Sequence, residues 1–237
     1  MDYEKANSSF ALIRNPFLEK SSLYPSATDS ISFCDAIKSS PRFIKSHLPA
    51  QLLPAQLWKL GRKIIYVARN PKDVVVPSYH FLTALNHWQG SLDELVDEFV
   101  SDKLPYTPYW EHVIDFYRLR DEKNIFFVTY EEMSRDLSGV IRRLSRFLGC
   151  NDLSESEMDK LLSHLSFKNM KGSKFGDHTA LMKMLNNAGD DYQFLRRGIV
   201  GSYKDELSSE NKDKIDKYTS TFLEKYGLTE SDIFGVL

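Results

Sequence analysis

Cysteine is nearly absent: the 237 residues hold two, Cys34 and Cys150, far apart and outside any C-x-x-C. That excludes the disulfide framework of a small secreted domain. Neither charge is in excess, with 31 Lys and Arg against 33 Asp and Glu. A protein that wraps nucleic acid shows a basic surplus, so no nucleic-acid partner is expected and any anion must be met by a few local cations. No apolar run reaches the roughly 20 residues of a membrane span, and Met1–Ser9 is polar, unlike a secretory signal. The expectation is a cytoplasmic protein with no membrane partner. The sequence also lacks a G-x-x-x-x-G-K-[ST] loop, which argues against a nucleoside-triphosphate hydrolase or kinase. His80, His87, His112, His164 and His178 show no ligand spacing with Cys or carboxylates, so no metal is expected.

What is present suits one domain over residues 1–237. Hydrophobic residues make up 42% and aromatics 13%, enough for a real core. Residues 1–41, rich in Ser and broken by Pro16, Pro25 and Pro41, read as irregular. Arg42–Lys45 reads as a short strand, and Leu52–Leu60 as a helical turn or two. Lys63–Ala68 and Asn124–Thr129 read as buried strands from their β-branched and aromatic runs. Helices are predicted from Pro71 on, and at Leu92–Val100, Tyr109–Leu119, Leu137–Leu148, Glu155–His164 and Lys212–Tyr226. Strands alternating with helices predict an α/β fold, a parallel sheet flanked by helices, with ligands at the carboxyl ends of the strands.

Those ends carry the chemistry-bearing residues. Lys45 and His47 stand two apart, so on a continuing strand they share a face. Histidine titrates near neutral pH and can remove a proton; a neighbouring lysine can stabilise charge on a transferring group. Arg69 ends one strand where a Pro71-started helix begins, which offers one anion a guanidinium and a helix N-terminus. Ser78 lies farther along that helix and could add a hydroxyl. Late in the chain, Phe194-Leu195-Arg196-Arg197-Gly198-Ile199-Val200-Gly201 places paired arginines beside glycines, a combination that can clamp a phosphate. Each motif alone is equally compatible with a plain structural role.

Taken in order, R-F-I-K-S-H-L-P, I-I-Y-V-A-R-N-P-K-D-V, V-T-Y-E-E-M, S-F-K-N-M and R-R-G-x-x-G-S-Y-K resemble the cytosolic sulfotransferase family, over a span from about Arg14-Asn15-Pro16-Phe17-Leu18-Glu19 to near the C-terminus. The resemblance implies a P-loop-NTPase-like sulfotransferase fold. It also implies transfer of a sulfonate group from 3′-phosphoadenosine-5′-phosphosulfate (PAPS) to the hydroxyl of a small acceptor, a phenol, steroid or other alcohol, leaving PAP and needing no metal. By the same resemblance His47 is the catalytic base and Lys45 stabilises the sulfonyl group. Arg69, Ser78, Arg196, Arg197 and Gly198, with Phe194 just before them, belong to the 3′-phosphate side; Tyr130, Ser166, Phe167 and Lys168 contact the nucleotide.

Three departures qualify that picture. The family's P-K-S-G-T-T-W phosphosulfate loop does not occur, so the fold is expected to miss its first strand, phosphate loop and first helix. A catalytically inactive nucleotide- or ligand-binding remnant is the alternative function. Pro77 stands where the family has serine, and Ser78 lies a helical step of about 100° away. The family's dimer motif is poorly kept at Lys204–Glu210, which leaves a homodimer open.

Overall fold

The computed structural model describes residues 17–19, 30–38, 40–171, 173, 176–186 and 189–235; Arg14, Asn15 and Pro16 of the first motif lie outside them. Two expectations for the N-terminal part need correction. Helix α1 (Ser30–Ala36) occupies a segment read as irregular. It is anchored by the buried Cys34 and by the Ser30 hydroxyl, which donates to the Leu18 carbonyl. Among the described residues Arg42–Lys45 makes a single parallel bridge, Phe17 to Lys45, with the Leu18 N–H on the Lys45 carbonyl at 2.9 Å. Phe43 and Ile44 are exposed, so burial does not reward a full strand there.

A 3₁₀ turn at Ala50–Leu52 and helix α2 (Ala55–Lys59) lead to strand β1 (Ile64–Ala68). The crossover that follows contains α3 (Pro71–Ala84), α4 (Leu92–Val100) and α5 (Tyr109–Arg118). It ends in β2 (Ile125–Thr129), which pairs parallel with β1 in a register of Ile64 to Ile125 and Ala68 to Thr129. That register sets the next residues, Arg69 and Tyr130, side by side at the carboxyl end. Four of the five β2 residues are buried, whereas β1 exposes Ile65 at 39% and Val67 at 52%.

After β2 come α6 (Tyr130–Arg135), α7 (Leu137–Leu148), α8 (Glu155–Leu165) and the short α9 (Phe167–Lys171). They are followed by α10 (Thr179–Asn186), α11 (Ser209–Leu223) and α12 (Glu230–Phe234). Capping explains several boundaries that were legible beforehand. Ser91 and Ser154 each form a capping box, with Glu94 and Glu157, at the starts of α4 and α8. Asp136 accepts from the Gly139 N–H to start α7, and left-handed Gly149 ends it.

Pro77 lies inside α3 and removes one helical N–H, a loss worth about 3 kcal/mol or more in a helix interior. The helix continues because Val75 and Val76 are fully buried against Leu95, Val96, Phe99 and Ile215. Two such side chains contribute roughly 3–6 kcal/mol. A second cluster packs α5, α11 and α12 on β1 around Trp110, Ile114, Leu223 and Phe234. The Trp110 indole N–H donates to Thr219 at 3.1 Å, so the largest buried ring has its polar atom satisfied. Phe126 and Val128 of β2 pack on Val140 of α7, which in turn presents Ile141 to Met158 and Leu161 of α8. These packed layers hold the two strand ends in place.

Candidate active site

The end of β1 is fixed from three sides. The Tyr109 hydroxyl donates to the Arg69 carbonyl, and the Asn70 N–H donates to Glu131 Oε1 at 2.8 Å. Asn70 also caps α3, its side chain accepting from the Lys72 N–H at 2.9 Å. Glu131 is 1% exposed. Burial raises its pKa, against the lowering effects of its backbone hydrogen bonds and of Arg69, and its Oε2 has no partner. Tyr109 is likewise buried, which pushes its phenol well above the ordinary value. With its backbone held, Arg69 lays its guanidinium over the Tyr130 ring, 4.3 Å from the centroid. Arg69 Nη2 donates to the Ile199 carbonyl at 3.4 Å, across 130 residues of chain.

Ile199 belongs to the R-R-G segment, which therefore reaches the strand end. Gly198 has φ +69°, and a Cβ there would overlap the Phe167 ring. Phe167 is thus the floor of this loop, joining the S-F-K-N-M motif to the R-R-G motif. Arg196 pairs with Glu206 at 2.5 Å and Arg197 with Asp205 at 2.5 Å. Glu206 also meets His80 Nε2 at 2.6 Å; burial raises its pKa, but His80 and Arg196 outweigh that and hold it low. The Nε atoms of both Arg69 and Arg196 are buried without a partner. Buried guanidinium donors with nothing to bind are costly unless an anion completes them. These residues fit a phosphate.

Other predicted residues stand apart. The Ser78 hydroxyl donates to the Val74 carbonyl one turn back at 2.8 Å. Ser166 Oγ accepts from the Asn169 N–H at 3.3 Å and caps α9. Lys168 is exposed. Phe194 is held by its N–H on Thr179 Oγ1 at 2.9 Å, with its ring 6.5 Å from Phe81 and 5.0 Å from His178.

Lys45 and His47 do converge, on the ring of Phe17. The Lys45 ammonium lies 4.7 Å from that ring's centroid and the His47 imidazole stacks at 5.1 Å. Lys45 is exposed as a residue, yet local desolvation of its ammonium lowers its pKa, partly offset by Glu19. His47 is held by Glu19, whose Oε1 accepts the His47 N–H at 2.7 Å and meets Nδ1 at 2.9 Å. Burial raises the Glu19 pKa, but hydrogen bonds from His47 and Ser46 outweigh it and hold the carboxyl below its ordinary value. The Tyr106 ring, on a backbone at φ +67°, lies 5.1 Å from the His47 ring on a tilted plane. Behind, His112 Nε2 meets the His47 carbonyl at 2.9 Å and His112 Nδ1 meets the Tyr66 hydroxyl at 2.8 Å. One tautomer satisfies both: Nε2–H donates to the carbonyl and Nδ1 accepts from tyrosine.

Sequence reasoning missed Glu19, Tyr109, Glu131, Glu206 and His112. Glu19 ends R-N-P-F-L-E with no local sign of a role, because only folding brings it to His47, 28 residues along the chain. His178 has no ligand spacing in the sequence but gains neighbours in the fold. Its ring touches Phe194, and burial, with the positive charge of Lys45, lowers its pKa. Among the described residues no group of three or more His, Cys, Asp and Glu could hold a metal, and no helix is long and apolar enough to cross a membrane.

Comparison with known proteins fits this geometry. Residues 4–229 match the model of the sulfotransferase domain family. Rat sulfotransferase 1 family member D1 is 32% identical over 218 residues, covering 91% of this chain and 72% of the relative. Luciferin sulfotransferase of Photinus pyralis is 38% identical over 186 residues, 75% of this chain but 49% of its own. The chain therefore spans about half to three quarters of the length of these curated relatives. Retinol dehydratase, solved with retinol and PAP, superposes with a TM-score of 0.87 at 25% identity over 96% of this chain and 75% of its own. The same enzyme with androsterone and PAP gives 0.86. With five motifs in order, a parallel sheet ending in Arg69 and Tyr130, and a family match over most of its length, this chain belongs to the sulfotransferase family.

Proposed function

We propose that the chain binds PAPS and transfers its sulfonate group to the hydroxyl of a small, apolar acceptor in the cytoplasm. The observation that carries this reading is the contact between Arg69 and the R-R-G segment at Ile199, with a buried, unpartnered Nε donor on each of Arg69 and Arg196. That corner suits the 3′-phosphate, with Arg197 at its rim. Tyr130 and Phe167 supply ring faces for the adenine side, with Ser166 and Lys168 flanking. The partners known for relatives are of the same kind: retinol and androsterone are small apolar alcohols.

At the other corner His47 is the base. With Nδ1–H donated to Glu19, the imidazole lone pair lies on Nε2, which takes the acceptor's proton as the acceptor oxygen bonds to sulfur. The sulfur–oxygen bond to the nucleotide's 5′-phosphate breaks in the same step, and Lys45 balances negative charge on the moving sulfonyl oxygens. Tyr106 and Phe17 line His47 with ring faces, which suits a flat acceptor.

A second reading, nucleotide binding without turnover, would use the same arginine corner. One experiment separates the two. Calorimetric titration of the chain with PAP and with AMP, which lacks the 3′-phosphate, is combined with PAPS-dependent sulfonation of a simple phenol. Preference for PAP with turnover supports the transferase; preference without turnover supports the second reading. Equal affinity for PAP and AMP overturns both.

A further inference from the structure

The two halves of the proposed phosphate corner are far apart in sequence, and one side chain on α3 joins them. Asp73 is 0% exposed. Its Oδ2 accepts the Gly201 N–H at 2.6 Å, and its Oδ1 accepts the Ser202 hydroxyl and the Tyr203 N–H, each at 3.2 Å. All three donors lie just beyond the R-R-G motif, at the turn where Gly201 adopts φ +79° and the Ser202–Asp205 3₁₀ turn begins. Asp73 is the third residue of α3, the position from which an acidic side chain ordinarily folds back to the N-cap N–H. Here that N–H, on Asn70, is already taken by Glu131. Glu131 closes the cap from the β2 side, and Asp73 is released to hold a loop 128 residues away.

We infer that Asp73 is the positioning residue of the 3′-phosphate corner: it fixes the arginine loop against the helix that starts beside Arg69. The inference rests on the phosphate reading above and deepens it. An acid in the first turn of α3 is favoured by the helix dipole, and three donors satisfy a carboxylate that would otherwise be strongly penalised by burial. The Gly201 and Tyr203 N–H groups bind the carboxylate, not the ligand. Asp73 therefore acts through the placement of Arg196 and Arg197, whose segment reaches Arg69 through the Ile199 carbonyl. An amide at this position offers one acceptor oxygen and turns an NH₂ group toward backbone donors, so Asp73→Asn should release the loop while leaving the side-chain volume unchanged.

The test compares nucleotides with and without the 3′-phosphate, using the full chain, calorimetry and thermal melts. Wild type should bind PAP more tightly than AMP. In Asp73→Asn, PAP affinity should fall about tenfold or more, the loss expected for hydrogen bonds to a charged group, while AMP affinity changes by less than about twofold. Ser202→Ala removes one donor, leaves both backbone bonds and should weaken PAP roughly threefold with the same selectivity. If Asp73→Asn does not fold, Ser202→Ala decides. Equal losses for PAP and AMP would make Asp73 a packing residue only and overturn the inference, as would unchanged PAP affinity in the variant that folds. Wild type that holds PAP and AMP equally would instead overturn the phosphate reading, and this inference with it.

Discussion

The Arg69 corner and the His47 corner are built on different principles. Arg69 closes a paired strand, its backbone is bound by Tyr109 and Glu131, and the loop that meets it is tied by the buried Asp73. His47 follows a single bridge at Lys45, and its position is defined by side chains: Glu19 at the ring and backbone N–H, Phe17 and Tyr106 at the ring faces, His112 behind. The proposed phosphate side thus rests on hydrogen-bonded elements with large buried neighbours, and the proposed base on side-chain contacts. A phosphate that must be held through turnover suits a rigid frame, and a site that admits varied acceptors suits a compliant one.

Changes at the two corners should therefore separate binding from chemistry. The largest effect is expected for His47→Ala. Removing a general base lowers turnover by about 10²–10⁴-fold, while PAP affinity, read by calorimetry, should move by less than about twofold. A comparable loss of PAP affinity would show that the corners are not independent. Next is Arg69→Ala, which removes one partner of a desolvated charged contact and should weaken PAP by about 2–5 kcal/mol. AMP should be far less affected; equal weakening would remove Arg69 from the 3′-phosphate. Gly198→Ala follows, because the added methyl meets the Phe167 ring at a backbone φ that disfavours it. Strain of this kind is worth roughly 1–3 kcal/mol, and it should appear as weaker PAP binding with only a small fall in melting temperature. A large fall in melting temperature would mean that the loop is part of the core rather than an addition to it.

The same contrast explains what could be read beforehand. Strand ends and helix starts are local signals. The Ile64–Ala68 run with its Asn70-Pro71 helix start, and the Asn124–Thr129 run, place Arg69 and Tyr130 without any knowledge of the fold. The boundaries of Leu92–Val100 and Leu137–Leu148 agree for the same reason. Contacts across many residues carry no such signal. Nothing near Asp73 announces Gly201, and nothing near Glu19 announces His47. Ser78 shows another local preference: a serine inside a helix has a carbonyl one turn back within reach, and Val74 supplies it. Arg42–Lys45 has strand-like composition, and among the described residues it pairs only through the bridge of Lys45 to Phe17.

The smallest expected effect concerns the charge on Glu19, and it tests how the compliant corner is held. Both His47 contacts use Oε1 of Glu19, so Glu19→Gln keeps the accepting oxygen and removes only the charge. Hydrogen bonds to an ionised acceptor are about twice as strong as neutral ones, so the substitution should cost about 1 kcal/mol near neutral pH, with the half-exposed imidazole limiting the loss. The sign with pH follows from the carboxyl's depressed pKa in the folded chain. Its contribution is fully present above the unfolded carboxyl's ordinary value and is lost as pH falls through the lower folded value. Thermal melts of wild type and Glu19→Gln should therefore differ at pH 7 and converge in acid. Turnover should fall modestly, because the imidazole keeps a neutral partner at Nδ1. A stability gap that stays constant from neutral pH into acid would show that packing around Phe17, and not the carboxylate charge, holds His47 in place.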